Sequence, residues 1–577
     1  MTETTTTPVL ITGSGPTGLV AALWLAQSGI KIRIIERAEG PRIGSRGYGL
    51  QPRTFELFRY LGVQDQVQKS AVPIPTMQAY KIPGGTIPVK TWDLYEKRQP
   101  WPDRPYANGM CLEQSVLEDI LRQRLADYGV SVEFGYALAD LEQIEDDVIA
   151  TVAMCKNGKP TEETKKITAK YVIGADGAKG TSRKLLGLTF LGETRDADGM
   201  VWGDVEIEGL HPGYNQPLSH TKDINSIMIR PFAPGSKKFH VGIIGQNFDP
   251  IEETNPDKAN EFIRRQTGIE GLSFGKWSWI SYYKPNMRVV NKFQAGRVFI
   301  VGDAAHVHSP SGGQGINCGV QDASNIAWKI ALVLKSLAPP SLLDTYTEER
   351  LPVITQMLYA TSQLYSNLVA KEKPEMDVPE NTVVPATAGD RSQFLQWRND
   401  ALELYGVNYR YSSIVHEERT DTSLWDAENV IAHAYSGYEG RDTLCAGDRA
   451  PDAPNLFDIR KNETKSLLDI FTPSKHAILV FTKLSALDPH ILETIQEYPA
   501  DIVQSFIITK SAGDHGGDIK VSPFQTDVLE DREGHAATSY RILQDDLTIF
   551  IVRPDSYIGA VVGNAAGIKK YFSKILV

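Results

Sequence analysis

The chain has 577 residues, of which 41% are hydrophobic and 23% charged, and its formal net charge is -11 at pH 7. This length exceeds what one hydrophobic core supports and favours two or three domains. The negative charge argues against a nucleic-acid partner, and the absence of any stretch of about 20 apolar residues argues against a membrane span. The first residues lack the basic and apolar regions of a signal peptide, so we expect a cytoplasmic protein.

The cysteines indicate neither a disulfide framework nor a metal site. The four of them, Cys111, Cys155, Cys318 and Cys445, are far apart in the sequence. They form no C-x-x-C or metal-ligand pattern, so we expect buried thiols and no metal.

The first predicted element is a strand that ends at a glycine-rich turn. Residues 9–12 are apolar, and residues 13–18 read G-S-G-P-T-G before a helical pattern begins. Gly13 permits the tight turn, Gly15 lets a pyrophosphate approach, and Gly18 lets the helix pack closely on the strand. A second strand ends at a carboxylate that can bind ribose hydroxyls. The residues predicted to bind the dinucleotide here are Gly13, Gly15, Pro16, Thr17, Gly18, Glu36 and Arg37.

The middle of the chain changes from mixed patterns to strands. Residues 53–61 and 116–125 have apolar residues at helical spacing, whereas the proline-rich residues 71–105 favour strands and loops. Residues 171–177 form a predicted strand that closes on a glycine turn. From about 180 to 295, strand patterns at 201–206, 226–230 and 239–244 predict an inserted antiparallel sheet.

The chain then returns to its first unit. Residues 296–303 read as a strand that ends at Gly-Asp, and residues 311–317 open a long helix. The nucleotide-binding segments therefore come from three separate parts of the sequence. Residues 375–440 are polar and irregular. The strand patterns 477–482, 502–509 and 547–552, with helices between them, predict a final small α/β unit.

The order of these motifs resembles that of the FAD-dependent aromatic hydroxylases, the single-component flavoprotein monooxygenases typified by 4-hydroxybenzoate and phenol hydroxylases. Three motifs carry the resemblance: the first glycine turn, Asp176-Gly177 followed by Arg183, and Gly302-Asp303 followed by Pro310 and residues 312–315. Residues 447–452 and 552–559 are similar to the thioredoxin-like third domain of the phenol-hydroxylase branch, although C-x-x-C is missing.

The resemblance implies a fold of class α/β and α+β with three domains. An FAD-binding Rossmann-like domain would span 1–180 and 296–375. An inserted antiparallel-sheet substrate domain would span 181–295, with strands also from about 71–110. A connection, 376–444, would lead to the thioredoxin-like domain, 445–577.

The resemblance also implies further contacts with FAD. The carboxylate of Asp303 would bind ribityl or ribose hydroxyls, and the amides of 312–317 would face the flavin from a helix N-terminus. Arg46 and Gln114 match positions that contact FAD in relatives, or are solvated loop side chains. The residues so assigned to FAD are Arg46, Gln114, Asp176, Asp303, Pro310, Gly313, Gly315, Ile316 and Asn317.

The implied reaction uses NAD(P)H to reduce FAD and O2 to form a flavin C4a-hydroperoxide, which a phenolic ring then attacks. The implied partners are a small aromatic substrate and a second copy of the chain in a homodimer. The resemblance leaves two products open. Attack at the carboxyl-bearing carbon of a 4-hydroxybenzoate-type acid gives a hydroquinone with loss of CO2, and attack beside the hydroxyl gives a catechol. A flavin oxidoreductase without oxygen insertion and a non-catalytic FAD-binding protein are the alternatives.

The chain departs from these relatives at the substrate. Tyr48 stands where phenol hydroxylase has an aspartate, and Lys238 and His240 match an arginine and a tyrosine two residues apart. We therefore predict His240, Tyr48 and Lys238 as catalytic residues, because a histidine with a pKa near ~6.5 can activate a phenol. Lys238, His240 or Arg230 could pair with a substrate carboxylate. In the alternative interpretation both cations face solvent and His240 is an ordinary sheet residue. Of the neighbours Tyr282 and Tyr283, at most one would line the pocket.

Overall fold

The computed structural model describes residues 4–45, 47–80, 88–194, 199–210, 217–220, 226–233, 235–245, 249–284, 286–308, 312–369, 400–420, 430–437, 441–510, 526–542 and 547–577. Two predicted FAD contacts, Arg46 and Pro310, lie outside the described residues, as do parts of the predicted connection 376–444.

The strands are, in chain order, β1 (Thr4–Thr12), β2 (Ile32–Glu36), β3 (Gly49–Leu50), β4 (Val72–Pro73), β5 (Met77–Tyr80), β6 (Pro88–Trp92), β7 (Met110–Cys111), β8 (Val132–Phe134), β9 (Tyr136–Ile144), β10 (Asp147–Lys156), β11 (Lys159–Gly174), β12 (Phe190–Thr194), β13 (Gly199–Glu208), β14 (Pro217–His220), β15 (Ser226–Pro231), β16 (Lys238–Gly245), β17 (Ser273–Tyr283), β18 (Asn286–Val290), β19 (Gln294–Ala295), β20 (Val298–Ile300), β21 (His306–Val307), β22 (His416–Glu417), β23 (Leu456–Asp458), β24 (Glu463–Lys465), β25 (His476–Phe481), β26 (Val503–Thr509), β27 (Asp527–Glu530), β28 (Thr548–Val552) and β29 (Ile558–Val562). The helices are α1 (Pro16–Gln27), α2 (Pro52–Tyr60), α3 (Gln64–Ser70), α4 (Gln114–Ala126), α5 (Ser182–Leu185), α6 (Pro256–Thr267), α7 (Gly315–Leu334), α8 (Thr345–Val369), α9 (Val430–His433), α10 (Leu467–Ile470), α11 (Pro489–Gln496), α12 (His535–Ser539) and α13 (Ala565–Phe572).

The first sheet assembles the three separate nucleotide-binding segments. Within the described residues its strand order is β19-β20-β11-β1-β2-β8, with β10 and β9 added beside β11. β1 pairs in parallel with β2 and with β11, and β11 pairs in parallel with β20. The register sets Thr12 beside Gly174, and Gly174 beside Ile300, so the three motifs end at one edge of the sheet. This arrangement confirms the predicted mixed α/β fold and shows that three separate segments of the chain share one sheet.

Helix α1 is buried on nearly all sides because it is apolar all round. Residues 18–25 are buried against the sheet, α4 and α7. Thr17 lies at the close approach of α1, α7 and the loop after β20: a Cβ on Gly319 would lie 2.2 Å from the Thr17 hydroxyl oxygen, and one on Gly302 2.7 Å. Glycines at these positions therefore let all three segments meet.

The second sheet has the described order β17-β13-β16-β15-β14-β5-β6. Its described pairs are antiparallel, as predicted, except that β14 and β5 run parallel. This exception follows from the route of the chain, which enters β14 from the inserted segment and β5 from the earlier proline-rich segment. One face of the sheet packs Val205, Val241 and Ile243 on Phe262 and Ile263 of α6. The opposite face is left for the candidate site.

The C-terminal sheet has the described order β22-β29-β28-β25-β26-β27-β23-β24. β25, β26 and β27 run parallel, β28 is antiparallel to β25, and β29 is antiparallel to β28. The three predicted strands of this unit agree with β25, β26 and β28 to within one residue at each end. All four cysteines are buried and form no disulfide. Among the described residues, no helix combines the length and hydropathy needed to cross a membrane.

His476 makes the stability of the C-terminal unit sensitive to acid. Burial lowers its pKa from 6.5 to about 3, with the positive charge of Arg553 acting in the same direction. Between these pH values His476 is protonated in the unfolded chain and neutral in the folded chain. The contribution of neutral His476 to the free energy of unfolding is therefore fully present above pH 6.5. It falls by about 3 kcal/mol by pH 4.5.

We accordingly expect the melting temperature of the wild-type protein to fall more steeply between pH 7 and pH 4.5 than that of His476→Phe. His490 serves as the control, because its side chain is 63% exposed. His490→Phe should follow the wild-type protein at both pH values. Parallel melting curves for wild type and His476→Phe would contradict the prediction.

Candidate active site

The first glycine turn forms a cradle at the N-terminus of α1. Gly13 has φ +102°, and a Cβ there would lie 2.3 Å from the carbonyl oxygen of Ala175. A Cβ on Gly18 would lie 2.0 Å from the carbonyl oxygen of Gly13. In contrast, no atom lies within 4 Å of a Cβ built on Gly15. The backbone is therefore closed behind the turn and open before it, as a pyrophosphate at a helix N-terminus requires.

Two carboxylates border this cradle. Glu36, at the end of β2, accepts hydrogen bonds from the amides of Ser14 (2.9 Å) and Ala38 (3.0 Å), which fixes it beside the glycine turn. Glu36 itself is half-buried, and Arg37, which follows it, is exposed. Asp303 is exposed although its neighbours Gly302 and Ala304 are buried. A half-buried carboxylate at Glu36 and an exposed one at Asp303 fit the ribose and ribityl hydroxyls of FAD.

The N-terminus of α7 meets the loop that carries Tyr48. Asn317 is fully buried; its Oδ1 accepts from the Gln51 amide (2.8 Å), and its Nδ2 donates to the Gly49 carbonyl oxygen (2.9 Å). Ile316 reaches Gly47, where a Cβ would lie 2.9 Å from its Cδ1. Gly313, with φ +63°, and Gly315 form the turn before these residues. The side chain of Asn317 therefore fastens this loop onto α7.

Two more of the predicted FAD residues hold loops by their side chains. Asp176 Oδ2 accepts from the amides of Thr181 (2.7 Å) and Ser182 (2.9 Å), so it caps α5. Gln114 Oε1 accepts from the Gly47 amide at 3.3 Å, and its Nε2 donates to Glu118 at 2.8 Å.

The second half of the site is a row of side chains across four strands. Arg230 of β15 lies opposite His240 of β16, His240 opposite Asp204 of β13, and Asp204 opposite Trp279 of β17. Directly opposed residues share one face of a sheet, which here is the face turned away from α6. Arg230 and His240 are each 7% exposed, and Asp204 is fully buried.

Asp204 orients His240. The Nδ1 of His240 donates to Asp204 Oδ1 at 2.7 Å, and the indole nitrogen of Trp279 donates to Asp204 Oδ2. This network assigns the proton to Nδ1 and leaves Nε2 as an acceptor without a partner among the described residues. Burial lowers the pKa of His240 below 6.5, although its hydrogen bond with Asp204 acts in the opposite direction. The imidazole is therefore neutral near pH 7.

Aromatic rings cover both faces of His240. Its ring stacks between Tyr48, at a centroid distance of 5.7 Å, and Trp202, at 5.2 Å. Phe232 approaches edge-on at 6.5 Å. Burial raises the pKa of Tyr48, and the charge of Arg230 only partly offsets this. Tyr48 therefore stays protonated, and only the edge of His240 that carries Nε2 is left for a ligand.

Arg230 and Lys238 are in different surroundings. The Arg230 guanidinium lies 3.4 Å from the centroid of the Tyr48 ring, and its Nη1 donates to the Cys111 sulfur at 3.5 Å. Its Nε is buried without a hydrogen-bond partner among the described residues, and no carboxylate there forms a salt bridge with it. Lys238 is more exposed, and its Nζ lies 3.2 Å from Glu113 Oε2.

The structure therefore brings His240 and Tyr48 into contact and leaves Lys238 in a salt bridge at the rim. Sequence reasoning missed Asp204, Trp202, Trp279 and Phe232. For Asp204, the sequence did offer a signal, because a charged residue lies between apolar ones in the strand pattern 201–207. Of the two neighbouring tyrosines, Tyr283 donates to the His308 carbonyl oxygen at 2.7 Å and belongs to the same hydrophobic cluster as Trp202.

Comparisons with known proteins agree with an FAD-binding fold. A family model described as an FAD binding domain matches residues 6–361. A flavin-dependent monooxygenase of Mycobacteroides abscessus is 32% identical over 469 residues, which are 80% of this chain and 88% of that protein. Pentachlorophenol 4-monooxygenase of Sphingobium chlorophenolicum is 28% identical over 80% of this chain and 79% of that protein. The crystal structure of the flavin-dependent monooxygenase PieE with FAD and substrate has a TM-score of 0.77 at 23% identity, over 99% of this chain and 98% of that one.

Proposed function

The chain belongs to the FAD binding domain family of flavin-dependent monooxygenases, and from this premise we propose that it hydroxylates a phenolic aromatic substrate with NAD(P)H as reductant. Its cofactor is FAD, held by the glycine turn, Glu36, Asp303 and the first turn of α7. Bound FAD supplies the activated oxygen atom, which comes from O2.

The observation that carries this proposal is the pair Asp204 and His240. A phenol attacks an electrophilic oxygen much faster once its hydroxyl loses the proton. The neutral His240 offers Nε2 as the acceptor of that proton, and Asp204 stabilises the imidazolium that forms. The rings of Tyr48, Trp202 and Phe232 exclude water around this step.

The surroundings of Arg230 favour a substrate that carries a carboxylate. A buried guanidinium without a carboxylate partner carries an uncompensated charge, and a carboxylate on the ligand would supply the missing partner. This favours a 4-hydroxybenzoate-type acid, with either oxidative decarboxylation to a hydroquinone or ortho-hydroxylation. The second candidate is a simple phenol converted to a catechol, with the phenolate itself facing Arg230.

The test is NAD(P)H consumption by the purified yellow protein in air, with a panel of phenols and 4-hydroxybenzoates. We expect one ligand to stimulate consumption and to gain one oxygen atom by mass. A product that lacks the carboxyl and bears a new hydroxyl identifies oxidative decarboxylation. Consumption that is independent of O2 would establish a flavin oxidoreductase without oxygen insertion and overturn the proposal.

Replacing Arg230 with methionine should raise the KM for a phenolic acid by roughly 10- to 100-fold, because a charged hydrogen bond contributes about 1.5–3 kcal/mol. The KM for the matching neutral phenol should change little. Lys238→Met is the matched control: its ammonium is already paired with Glu113, so the KM for the acid should rise less. Equal effects of Arg230→Met on acid and neutral phenol would contradict charge pairing.

A further inference from the structure

A buried carboxylate lies directly beneath the Gly302-Asp303 loop. Asp322 of α7 accepts from the Gly302 amide at 3.0 Å, from His306 Nε2 at 2.6 Å and from Arg350 Nε at 2.7 Å. Asp322, His306 and Arg350 are all fully buried. The position of the loop that presents Asp303 to FAD therefore depends on this carboxylate.

Arg350 connects Asp322 to the C-terminal part of the chain. Its Nη1 donates to the Tyr409 hydroxyl oxygen at 2.9 Å. The ring of Tyr409 packs on that of Tyr557, with centroids 4.4 Å apart, and the Tyr557 hydroxyl donates to Gln321 of α7 at 3.3 Å. These contacts connect Asp322 of α7, through Arg350 and the two tyrosines, to Gln321, which is the neighbouring residue of the same helix.

A second buried cluster holds the middle of α7. Glu349 accepts two hydrogen bonds from Arg553, at 2.6 and 2.9 Å, and one from Lys329 of α7 at 2.8 Å. Ser412 donates to the same carboxylate at 2.7 Å. The side chains of Glu349, Arg553 and Lys329 are fully buried. Removing one partner from such a cluster leaves a buried charge uncompensated, so α7 and the C-terminal residues are held together strongly.

We infer that the C-terminal unit, defined as the described residues from 400 to 577, is a positioning part of the flavin site. Through Tyr409 and Arg350 this unit fixes the Gly302-Asp303 loop. Through Arg553 and its partner Glu349 it fixes α7, the helix whose first turn faces the flavin. The unit thereby sets the affinity for FAD and the reduction potential of the bound flavin. The inference requires FAD binding alone and does not depend on the substrate.

A conservative variant tests this role without removing a charge. Tyr409→Phe deletes the acceptor of Arg350 and keeps the ring that packs on Tyr557. Its matched control is Tyr540→Phe, because Tyr540 is equally buried and donates within the C-terminal unit to the Pro451 carbonyl oxygen. We expect the FAD dissociation constant of Tyr409→Phe to rise roughly 2- to 30-fold, whereas that of Tyr540→Phe stays near the wild-type value.

A second pair of variants tests the ionic cluster. Arg553→Gln removes the guanidinium bound to Glu349, and Arg410→Gln removes a buried guanidinium that pairs with Asp448 inside the C-terminal unit. Both should lower the melting temperature of the apoprotein. Only Arg553→Gln should weaken FAD binding, by roughly 30-fold or less if the protein stays folded.

The reduction potential separates positioning from stability. The N-terminal end of α7 favours the negatively charged reduced flavin more than the oxidised form. A displaced α7 should therefore weaken binding of the reduced form more, and the midpoint potential of Tyr409→Phe should become more negative than that of Tyr540→Phe. Identical FAD affinities and potentials in the Tyr409 and Tyr540 variants would overturn the inference, even if Arg553→Gln fails to fold.

Discussion

Replacing His240 with glutamine is expected to lower kcat by about 10²- to 10⁴-fold, the usual contribution of a positioned general base. The variant keeps a polar side chain of similar reach but removes the acceptor nitrogen that Asp204 orients. Flavin content and the rate of flavin reduction should stay near the wild-type values, because the role proposed for His240 concerns only the proton of the substrate. The measurement is kcat for product formation, with FAD content determined on the same sample.

The pH dependence of this variant is as informative as its rate. A phenol that loses its proton to water reacts faster as the pH rises, so kcat of His240→Gln should climb with pH. The wild-type kcat should be flat near pH 7 and fall only below pH 6.5, since burial lowers the pKa of His240 and the base works only when it is neutral. A wild-type profile that rises steadily through pH 7 to 9 would contradict a histidine base.

Tyr48 supplies the control for His240. Its hydroxyl stays protonated and its ring stacks on His240, so Tyr48→Phe keeps the stacking and should retain most of kcat. Asp204→Asn should have a larger effect, because the amide can no longer fix the proton on Nδ1 or stabilise the imidazolium. If Tyr48→Phe loses as much activity as His240→Gln, the base is Tyr48 or acts through it.

The second large effect is expected at the glycine turn. Gly13→Ala places a Cβ 2.3 Å from the Ala175 carbonyl oxygen at a φ of +102°, so the strand and the turn must move apart. We expect the FAD dissociation constant to rise at least about 30-fold, because clash and backbone strain each cost about 1–3 kcal/mol. Equilibrium titration of the apoprotein with FAD measures this change.

Gly29 provides the matched control for Gly13. It also has a positive φ, +77°, but no atom lies within 4 Å of a Cβ built there. Gly29→Ala therefore introduces backbone strain without a clash and should retain FAD binding at a slightly reduced melting temperature. Equal loss of FAD in both alanine variants would mean that general destabilisation, and not the turn, controls binding.

Most of the fold was predictable from local sequence patterns. The glycine turn, the strand ends at Glu36 and Asp303, and the apolar runs of the inserted sheet each depend on residues that are close in sequence. The sequence therefore predicts that separate segments form the first sheet, and it predicts the bounds of β15, β16, β25, β26 and β28 to within one residue. The parallel pairing of β14 with β5 was not predictable, because the two strands are separated by most of the first unit.

The substrate half of the site was only partly predictable for the same reason. The resemblance identified Tyr48, Lys238 and His240 by position in a motif, and alternation along β16 gives Lys238 and His240 the same face. Asp204 and Arg230 become neighbours of His240 only through the register of three strands. That register depends on side-chain packing across the sheet, which one sequence does not reveal. Lys238 differs from Arg230 in its environment because Glu113, far away in sequence, lies beside it.

The discontinuous first sheet also constrains how the protein is made. β1 is synthesised well before its neighbours in the sheet, because β11 is complete only at Gly174 and β20 begins at Val298. At about 5–20 residues per second, roughly 15–60 s pass between synthesis of the first glycine turn and synthesis of the strand that completes the flavin edge. During this interval the apolar α1 lacks its partner α7. The nascent chain therefore exposes apolar surface that is prone to aggregation until α7 has been synthesised.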